Sequence, residues 1–324
     1  MGEVLPGRRR GNAHPTKEIM LSGILLIDKP EGPSSFEVVR RVRRTTKVRK
    51  AGHAGTLDPF ATGLLLLCLG EATKLVPFLM PEPKTYRAVM KLGEETDTQD
   101  PTGQVTATSR ELPQPEQIYE AAARFVGEIT QTPTMYSALH HQGERLYRLA
   151  RRGETVQVKP RQVTIYELQV GEVALPLVQM TVTCSPGTYI RTLAADLGVA
   201  LGCGAHLTAL RRLEVGSFQV EDALSLADLE NIGPEEQLAR IIPLADCLPE
   251  MRQLNVGPEE AGKLRQGQAL AWQDDDFPPD EPVRVMTAGE LLALGRMRRQ
   301  AATGASLISV PGAGRPMMPA RSIG

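Results

Sequence analysis

Apolar and polar positions along the chain follow two different periods, and each period predicts a different kind of element. Gly23–Asp28 is a short apolar run, which is typical of a buried strand. Leu64–Leu69 is a run of six apolar residues ended by Gly70, and it predicts a central strand buried on both faces. Thr85–Leu92 alternates apolar and polar side chains, as expected of a half-buried strand.

Helical spacing marks other segments. Ser34 followed by Glu37 has the capping-box pattern, and it precedes apolar residues at every third position, namely Phe36, Val39 and Val42. Further helices are expected at Pro115–Thr130, at Arg145–Arg152 and from Ile190 to Gly198, and further strands at Gln162–Glu172 and Leu177–Cys184. Strands and helices do not alternate regularly, which predicts an α+β fold with a mixed or antiparallel sheet.

The length of 324 residues predicts more than one folded unit. Residues 1–19 lack apolar periodicity and are expected to be a disordered extension. Two prolines near residue 248 suggest a connector there, so we expect a main domain over 20–248 and a second over 249–324. Strands at Val283–Met286 and Leu307–Val310 around an apolar turn, Leu291–Leu294, would make the second domain small and β-rich.

The basic residues are unevenly distributed, although the net charge is only −1. Seven of them follow one another without an intervening acid, at Arg40, Arg41, Arg43, Arg44, Lys47, Arg49 and Lys50. A solvated helix face is the simpler interpretation. A surface that contacts phosphates is the one that this density favours, and the sequence alone leaves both open.

Cysteines and apolar segments limit the class of protein. The four cysteines have no short spacing typical of a zinc site or redox motif, which favours reduced, buried thiols. No segment approaches the ~20 apolar residues of a membrane span, and the first residues lack the apolar region of a secretory signal. We therefore expect a cytoplasmic protein without a metal site and without membrane contact.

The segment Ala51–Gly63 is expected to be a loop, because it contains three glycines and a proline. Pro59 biases Asp58 toward an extended conformation, so one carboxylate is held at the mouth of the buried strand that follows. Asp-Pro is also a common turn pair. On these physical grounds alone, a turn-capping role for Asp58 is favoured over a catalytic one.

A family resemblance changes that balance. Gly52–Gly63, with the letters GHAGTLDPFATG, resembles the catalytic loop of the TruB family of pseudouridine synthases. Four more segments resemble that family in the same order: GILLIDKPEGPSSF (Gly23–Phe36), KTYRA (Lys84–Ala88), CSPGTYIRTLAADLG (Cys184–Gly198) and HLTALRRLEVGSF (His206–Phe218). Five ordered matches across most of residues 23–218 are not a chance occurrence.

The resemblance implies an α+β pseudouridine synthase core, built on a mixed, largely antiparallel sheet with a cleft across its middle. A small β-rich, PUA-like RNA-binding domain would follow. The implied reaction isomerises uridine 55 in the T loop of tRNA to pseudouridine, with the tRNA T stem-loop as partner. This isomerisation is redox-neutral and needs no cofactor and no metal. A monomer is expected.

The resemblance also implies roles for individual residues. Asp58 matches the nucleophile, which attacks either C1′ of the sugar or C6 of the base, and Arg191 matches the arginine that pairs with it. Tyr86 matches the tyrosine stacked on the target base; without the resemblance it would be read as a core tyrosine. Tyr189 matches a second tyrosine, whose hydroxyl contacts the nucleotide.

Three further positions complete the implied site. Leu210 matches an apolar residue against the base, and His53 matches the residue that enters the RNA stack when the uridine leaves. Lys29 matches a lysine beside the pocket that holds the loop. The chain departs from the family pattern at His140, where a lysine is usual, and at Leu213, where a threonine is usual.

Two other classes of function remain to be distinguished. One is a non-catalytic RNA-binding protein or tRNA folding chaperone on this scaffold, against which the intact Asp58, Tyr86 and Arg191 argue. The other is a hydrolase, in which Asp58 would act with a second carboxylate. The candidates for that second acid are Asp97, Asp100 and Asp196.

Overall fold

The computed structural model describes residues 21–136, 140, 141, 143–146, 149, 152–154, 156–272, 278, 280–299 and 306–309. The expected disordered extension, 1–19, lies outside these residues, as does half of the expected helix Arg145–Arg152. The helices are α1 (Ser35–Thr46), α2 (Val76–Leu79), α3 (Pro115–Ala123), α4 (Ile190–Ala200), α5 (Leu226–Asn231), α6 (Pro234–Ala239) and α7 (Pro258–Arg265).

The strands of the first half are β1 (Gly23–Lys29), β2 (Ala51–His53), β3 (Thr62–Leu69), β4 (Lys84–Leu92), β5 (Glu94–Thr96), β6 (Val105–Thr108), β7 (Gly127–Gln131), β8 (His140–His141) and β9 (Glu144–Arg145). Those of the second half are β10 (Arg161–Ala174), β11 (Leu177–Cys184), β12 (Ala205–Val215), β13 (Phe218–Gln219), β14 (Leu224–Ser225), β15 (Ile241–Pro243), β16 (Gln253–Asn255), β17 (Leu270–Trp272), β18 (Pro282–Thr287), β19 (Glu290–Arg299) and β20 (Ser306–Ser309).

Within the described part of the chain, eleven strands form one mixed sheet. Its main path runs β14-β1-β3-β12-β4-β11-β10-β7, with β2 beside β3, β13 beside β12 and β15 beside β1. The pairs β1–β14 and β3–β12 are parallel. The other pairs of this sheet are antiparallel. The expected mixed, largely antiparallel sheet is confirmed.

Strand β3 is buried on both faces, as its unbroken apolar run predicted. Leu65, Leu67 and Leu69 pack beneath α1 together with residues of β1. Leu64, Leu66 and Cys68 face the opposite core. Burying a leucine completely contributes about 1.5–3 kcal/mol. This strand therefore anchors the loop that precedes it, which carries Asp58.

The capping pattern at the start of α1 is confirmed. Ser34 is the N-cap, its side chain accepts from the Glu37 backbone N–H, and the Glu37 carboxylate accepts from the Ser34 N–H at 2.8 Å. The helix buries Val38, Val39 and Val42 against β1 and β3. It ends at Thr46, and the φ of 56° at the C-cap residue, Lys47, lies in the left-handed region. The basic residues are thus left on the outer face.

Several expected boundaries were wrong. The helix expected over Pro115–Thr130 ends at Ala123, because Gly127, with a φ of 105°, starts β7 instead. Strand β7 pairs with β10, so tertiary pairing overrides the local helical spacing. The expected loop Ala51–Gly63 begins as strand β2, which pairs with β3. Helix α4 continues two residues beyond Gly198.

The second sheet has the strand order β16-β18-β19-β20-β17 in the described residues, so the small β-rich unit is present. Leu291–Leu294 lies within β19 rather than in a turn; the turn is at Ala288 and Gly289, which have positive φ. Met286 and Leu291 join the core beneath the large sheet. Arg284 donates to the carbonyl oxygens of Ala245 (2.6 Å) and Met251 (3.0 Å). The division at residues 248 and 249 stays a prediction.

Candidate active site

A buried lysine holds the loop that carries Asp58. Lys29, at the end of β1, is fully buried, and its Nζ donates to the carbonyl oxygens of Pro30 (2.9 Å), Pro59 (3.1 Å) and Ala61 (2.6 Å). Pro59 and Ala61 both follow Asp58 directly in the chain, within three residues of it. Desolvation lowers the pKa of Lys29 to about 8. Lys29 therefore fixes the backbone that directly follows Asp58.

Arg212 holds the same loop from strand β12, and the sequence-based candidates did not include it. Its Nε donates to the Leu64 carbonyl (2.7 Å), and its two terminal nitrogens donate to the carbonyls of Thr56 (3.3 Å) and Gly55 (3.2 Å). Gly63 permits this close approach, since a Cβ there would lie 2.2 Å from the Arg212 carbonyl oxygen. The alternation of inward and outward positions along β12 could have indicated that this arginine points inward.

Asp58 is paired with Arg191, as the resemblance implied. Arg191 lies in the first turn of α4 and is buried, and its Nε is 3.0 Å from Asp58 Oδ2. The rest of the guanidinium donates to Asp100 Oδ2 (3.0 Å) and to the carbonyls of Thr98 (2.9 Å) and Tyr136 (2.9 Å). A cation at a helix start is disfavoured by the helix dipole. Two carboxylates and two carbonyls offset that cost.

Asp100 is the acid of the three candidates that contacts Arg191. Its Oδ1 accepts from the hydroxyls of Thr98 (2.7 Å) and Thr102 (2.5 Å) and from the Thr102 N–H (3.0 Å). It does not belong to the residues that line the cleft beside Asp58. Asp97 instead accepts from the Gln104 N–H and the Tyr136 hydroxyl. Asp100 is therefore a partner of Arg191, and the geometry does not make it the second acid of a glycosidase.

The surroundings of Asp58 disfavour its charge in part. Its side chain is 37% exposed, yet it lies at the bottom of a cleft. Desolvation there raises the pKa of Asp58 above its ordinary value, and the negative charge of Asp100 raises it further, while Arg191 and Lys29 act in the opposite direction. A carboxylate that is poorly solvated yet aimed by a guanidinium is well suited to covalent chemistry.

The cleft above Asp58 has a volume of about 270 Å³ and two aromatic walls. Five residues singled out from the sequence line it together: Asp58, Tyr86, Tyr189, Arg191 and Leu210. Tyr86 on β4 pairs with Arg212 on β12, and Ala88 pairs with Leu210, so Tyr86 and Leu210 are diagonal neighbours. Desolvation raises the pKa of the Tyr86 hydroxyl.

Two candidates lie outside this lining. Lys29 is beneath the loop and contacts backbone carbonyls. His53 ends β2, where it pairs with Leu67, and it is half-buried. The side chain of His140 lies outside the described residues, so the effect of this departure from the family stays open. Leu213 packs at the margin of the core beneath the large sheet.

Gln131 is a second residue that the sequence did not reveal. It is fully buried at the end of β7, and its amide Nε2 donates to the Tyr189 carbonyl (3.2 Å) while its Oε1 accepts from the Tyr189 N–H (3.0 Å). This double hydrogen bond fixes the backbone of the helix N-cap. Gln131 therefore positions one aromatic wall of the cleft, a role that depends on contacts between residues far apart in the chain.

The cleft combines the carboxylate of Asp58, the guanidinium groups of Arg191 and Arg212, and the rings of Tyr86 and Tyr189. Family comparison agrees with this chemistry. Residues 43–190 match the model described as TruB family pseudouridylate synthase (N terminal domain), and residues 191–248 match that of the tRNA pseudouridylate synthase B C-terminal domain. The junction of the two matches falls between Ile190 and Arg191, so the cleft takes residues from both.

Curated relatives extend the match over most of the chain. A tRNA pseudouridine synthase B from Syntrophotalea carbinolica is 48% identical over 248 residues, which are 76% of this chain and 81% of the relative. Another, from Cupriavidus pinatubonensis, is 44% identical over 296 residues, or 89% of this chain and 93% of the relative. The fold and the site define a pseudouridine synthase. More narrowly, the chain belongs to the TruB family.

Solved structures share the fold over most of the chain. A Cbf5-Nop10-Gar1 complex contains a chain with 28% identity and a TM-score of 0.73, over 94% of this chain and 88% of that one. An H/ACA RNP bound to a substrate RNA containing 2′-deoxyuridine gives 26% identity and a TM-score of 0.72, over 94% and 87%. The fold class, a pseudouridine synthase core followed by a small PUA-like unit, is confirmed. Among the described residues, no helix has the length and apolar character needed to cross a membrane.

Proposed function

We propose that this protein isomerises uridine 55 in the T loop of tRNA to pseudouridine, with Asp58 as the nucleophile. The observation that carries the proposal is the single carboxylate at the floor of the cleft, paired at 3.0 Å with the buried Arg191 and flanked by two tyrosines. The names of the curated relatives support tRNA as the substrate.

The reaction breaks the bond between C1′ and N1 of uridine, turns the base, and joins C1′ to C5. Asp58 would form a covalent bond either to C1′ of the sugar or to C6 of the base, and either bond is broken again before release. The bond to C5 forms with loss of the C5 proton, and N1 gains a proton in its place, so product and substrate have the same composition.

A uridine inside a folded T loop must leave its stack to reach Asp58. Tyr86 and Tyr189 offer aromatic faces against which the flipped base packs, and Leu210 closes the apolar side. His53, at the end of β2, would occupy the space that the uridine leaves in the RNA. Arg191 keeps the nucleophile aimed, while Lys29 and Arg212 hold its loop.

The test is to incubate the purified protein with a T-stem-loop RNA and to map pseudouridine by base-specific chemistry. We expect conversion at the position of uridine 55, with no change in RNA mass and no release of free uracil. Release of uracil would instead support the hydrolase interpretation. Tight binding of tRNA by the wild-type protein, without any conversion of uridine, would support the non-catalytic chaperone interpretation.

A further inference from the structure

Arg161 lies at the rim of the active-site cleft and is not used by the mechanism above. It is the first residue of β10 and pairs in the sheet with Gln131, the residue that holds the Tyr189 backbone. Its guanidinium carbon is 5.5 Å from the centre of the Tyr189 ring. Gln131 and Arg161 thus fix the same tyrosine, one by its backbone and the other by its ring.

Arg161 differs from the other arginines of the site in what it binds. In the described part of the chain its side chain has neither a hydrogen bond nor an ion pair, and its Nε is buried without a partner. Arg191 and Arg212, by contrast, direct their donors to carboxylates and carbonyls of the protein. Polar groups at a site that lack protein partners are candidates for binding a ligand.

The loop beside Arg161 leaves room for an incoming group. Gly187 has a φ of 82°, and a Cβ at this position would lie 3.3 Å from the nearer terminal nitrogen of Arg161. Gly187 also lines the cleft together with Tyr189. A side chain here would crowd the guanidinium, whereas glycine leaves its edge open at the cleft mouth.

We propose that Arg161 binds a backbone phosphate of the RNA next to the nucleotide that enters the cleft. This inference rests on the proposed function. A guanidinium presents two parallel N–H groups that match two phosphate oxygens. Stacking on Tyr189 keeps the guanidinium plane fixed, so its edge meets the phosphate without further ordering. Tyr189 would then hold the flipped base, and Arg161, stacked on Tyr189, would hold the adjacent phosphate.

The first measurement is the dissociation constant of a tRNA transcript as a function of KCl concentration. Arg161→Gln should weaken binding about tenfold and lower the slope of log K against log salt by about one, since one fewer phosphate is neutralised. Arg161→Lys should retain the slope, because it keeps the charge. Arg240→Gln is the matched control, an exposed arginine at the C-cap of α6 near the opposite edge of the large sheet, and should keep the wild-type values.

The second measurement identifies the phosphate. Single methylphosphonate substitutions around the target uridine each remove one negative charge from the RNA. One of them should weaken binding by the wild-type protein yet cause no added loss with Arg161→Gln. Equal losses with both proteins at every position would overturn the proposal, as would a salt slope that Arg161→Gln leaves unchanged.

The controls separate this proposal from the proposed function. If the wild-type protein converts uridine 55 but Arg161→Gln keeps the full salt slope, only the phosphate contact is wrong. If the wild-type protein converts no uridine, the proposed function itself fails. Should Arg161→Gln not fold, the methylphosphonate series with wild-type protein and Arg161→Lys still decides, because a series in which no position weakens wild-type binding contradicts the phosphate contact.

Discussion

Two groups of cations in this protein differ in what surrounds them. The cleft cations are Arg191 and Arg212, which line the cleft, and Lys29 beneath its loop; all three are buried and donate to carbonyls or carboxylates. The helix cations, Arg43, Arg44 and Lys47, are exposed on the outer face of α1. Buried cations with satisfied donors fix geometry, whereas exposed cations attract phosphates and are screened by salt.

The helix group is smaller than the run of seven basic residues suggested. Arg41 is paired with Glu230 at 2.8 Å. Arg40 lies 3.9 Å from Glu37 and stacks on the exposed ring of Phe36. Acids that are distant in the sequence, or one helical turn earlier, therefore neutralise part of the cluster. The comparison predicts that changes to the cleft cations and their acids alter turnover, and that changes to the helix cations alter binding.

The largest effect is expected for Asp58→Asn. Turnover should fall by roughly 10³-fold or more, because the proposed nucleophile is lost, while tRNA binding stays within about twofold because many contacts share it. The protein should melt at or above the wild-type temperature, since the ionised Asp58, whose pKa is raised, no longer has to be buried at neutral pH. Single-turnover kinetics measure the rate, and calorimetry measures the melting temperature. Retention of a tenth of the wild-type rate would remove Asp58 from its assigned role.

The next largest effect is expected at Arg191. Arg191→Lys should fold but lose about 100-fold in rate, because an ammonium does not aim a carboxylate as a planar fork does. Arg191→Met should be destabilised by about 3–5 kcal/mol, since it leaves Asp100 buried without its charge partner.

Urea unfolding with Arg211→Met as the control tests this prediction. Arg211 lies next to Arg212 on β12 and forms a part-exposed ion pair with Asp28 at 2.7 Å. Loss of this pair should cost only about 0–1 kcal/mol. If both methionine variants lost the same stability, the distinction between buried and exposed pairs would not hold here.

Asp100→Asn should change the pH dependence of the rate. The proposed nucleophilic role of Asp58 needs its ionised form, so turnover should be lost as pH falls through the raised pKa of this group. The charge of Asp100 contributes to that raised pKa, so its removal should move the acid limb to lower pH. The plateau rate should also fall, by about tenfold, because Arg191 is less firmly placed.

Profiles of kcat/KM against pH for wild type, Asp100→Asn and Asp196→Asn distinguish the cause. Asp196 is a half-buried acid on α4 whose pKa is raised by burial, and it does not line the cleft. Its removal should leave the acid limb in place. An acid limb of Asp100→Asn that stays in place or moves to higher pH would contradict the assigned coupling.

The smallest effect on turnover is expected for the helix cations. Replacing Arg43, Arg44 and Lys47 by glutamine should leave the saturating rate unchanged and lower the salt slope of tRNA binding by about two to three. A matched set of exposed arginines, Arg110, Arg124 and Arg240, serves as control. Equal slopes for the two triple variants would assign the basic face of α1 to simple solvation.

Local sequence patterns predicted the parts of the fold that depend on neighbouring residues. The capping box at Ser34 and the buried strand β3 follow from contacts within a few positions, and both are confirmed. The end of α3 was missed because pairing with β10, more than thirty residues away, draws residues 127–131 into a strand. A helical spacing cannot reveal a partner that far along the chain.

The residues of the candidate site also divide into those that the sequence indicated and those that depend on distant contacts. The resemblance identified five residues that the structure brings into one cleft. Gln131 was missed because its role is a hydrogen bond to the backbone of Tyr189, which lies 58 positions away in the chain. Arg212 was missed because it donates to the Thr56 carbonyl, 156 positions away. Neither residue type nor local spacing shows which distant backbone atoms such a side chain contacts. Asp100 was considered only as a second acid, since nothing local shows that it faces Arg191.

The place of β12 in the large sheet has a consequence for how the chain becomes active during synthesis. This strand lies between β3 and β4, although it follows both by more than a hundred residues. A nascent chain that stops before Ala205 would expose the hydrogen-bonding edges of both strands, which favours pairing with other chains. It would also lack Leu210 and Arg212. About two thirds of the chain must therefore be synthesised before any tRNA can be modified. Until then the place of β12 between β3 and β4 is empty, and chaperones can bind the two exposed strands.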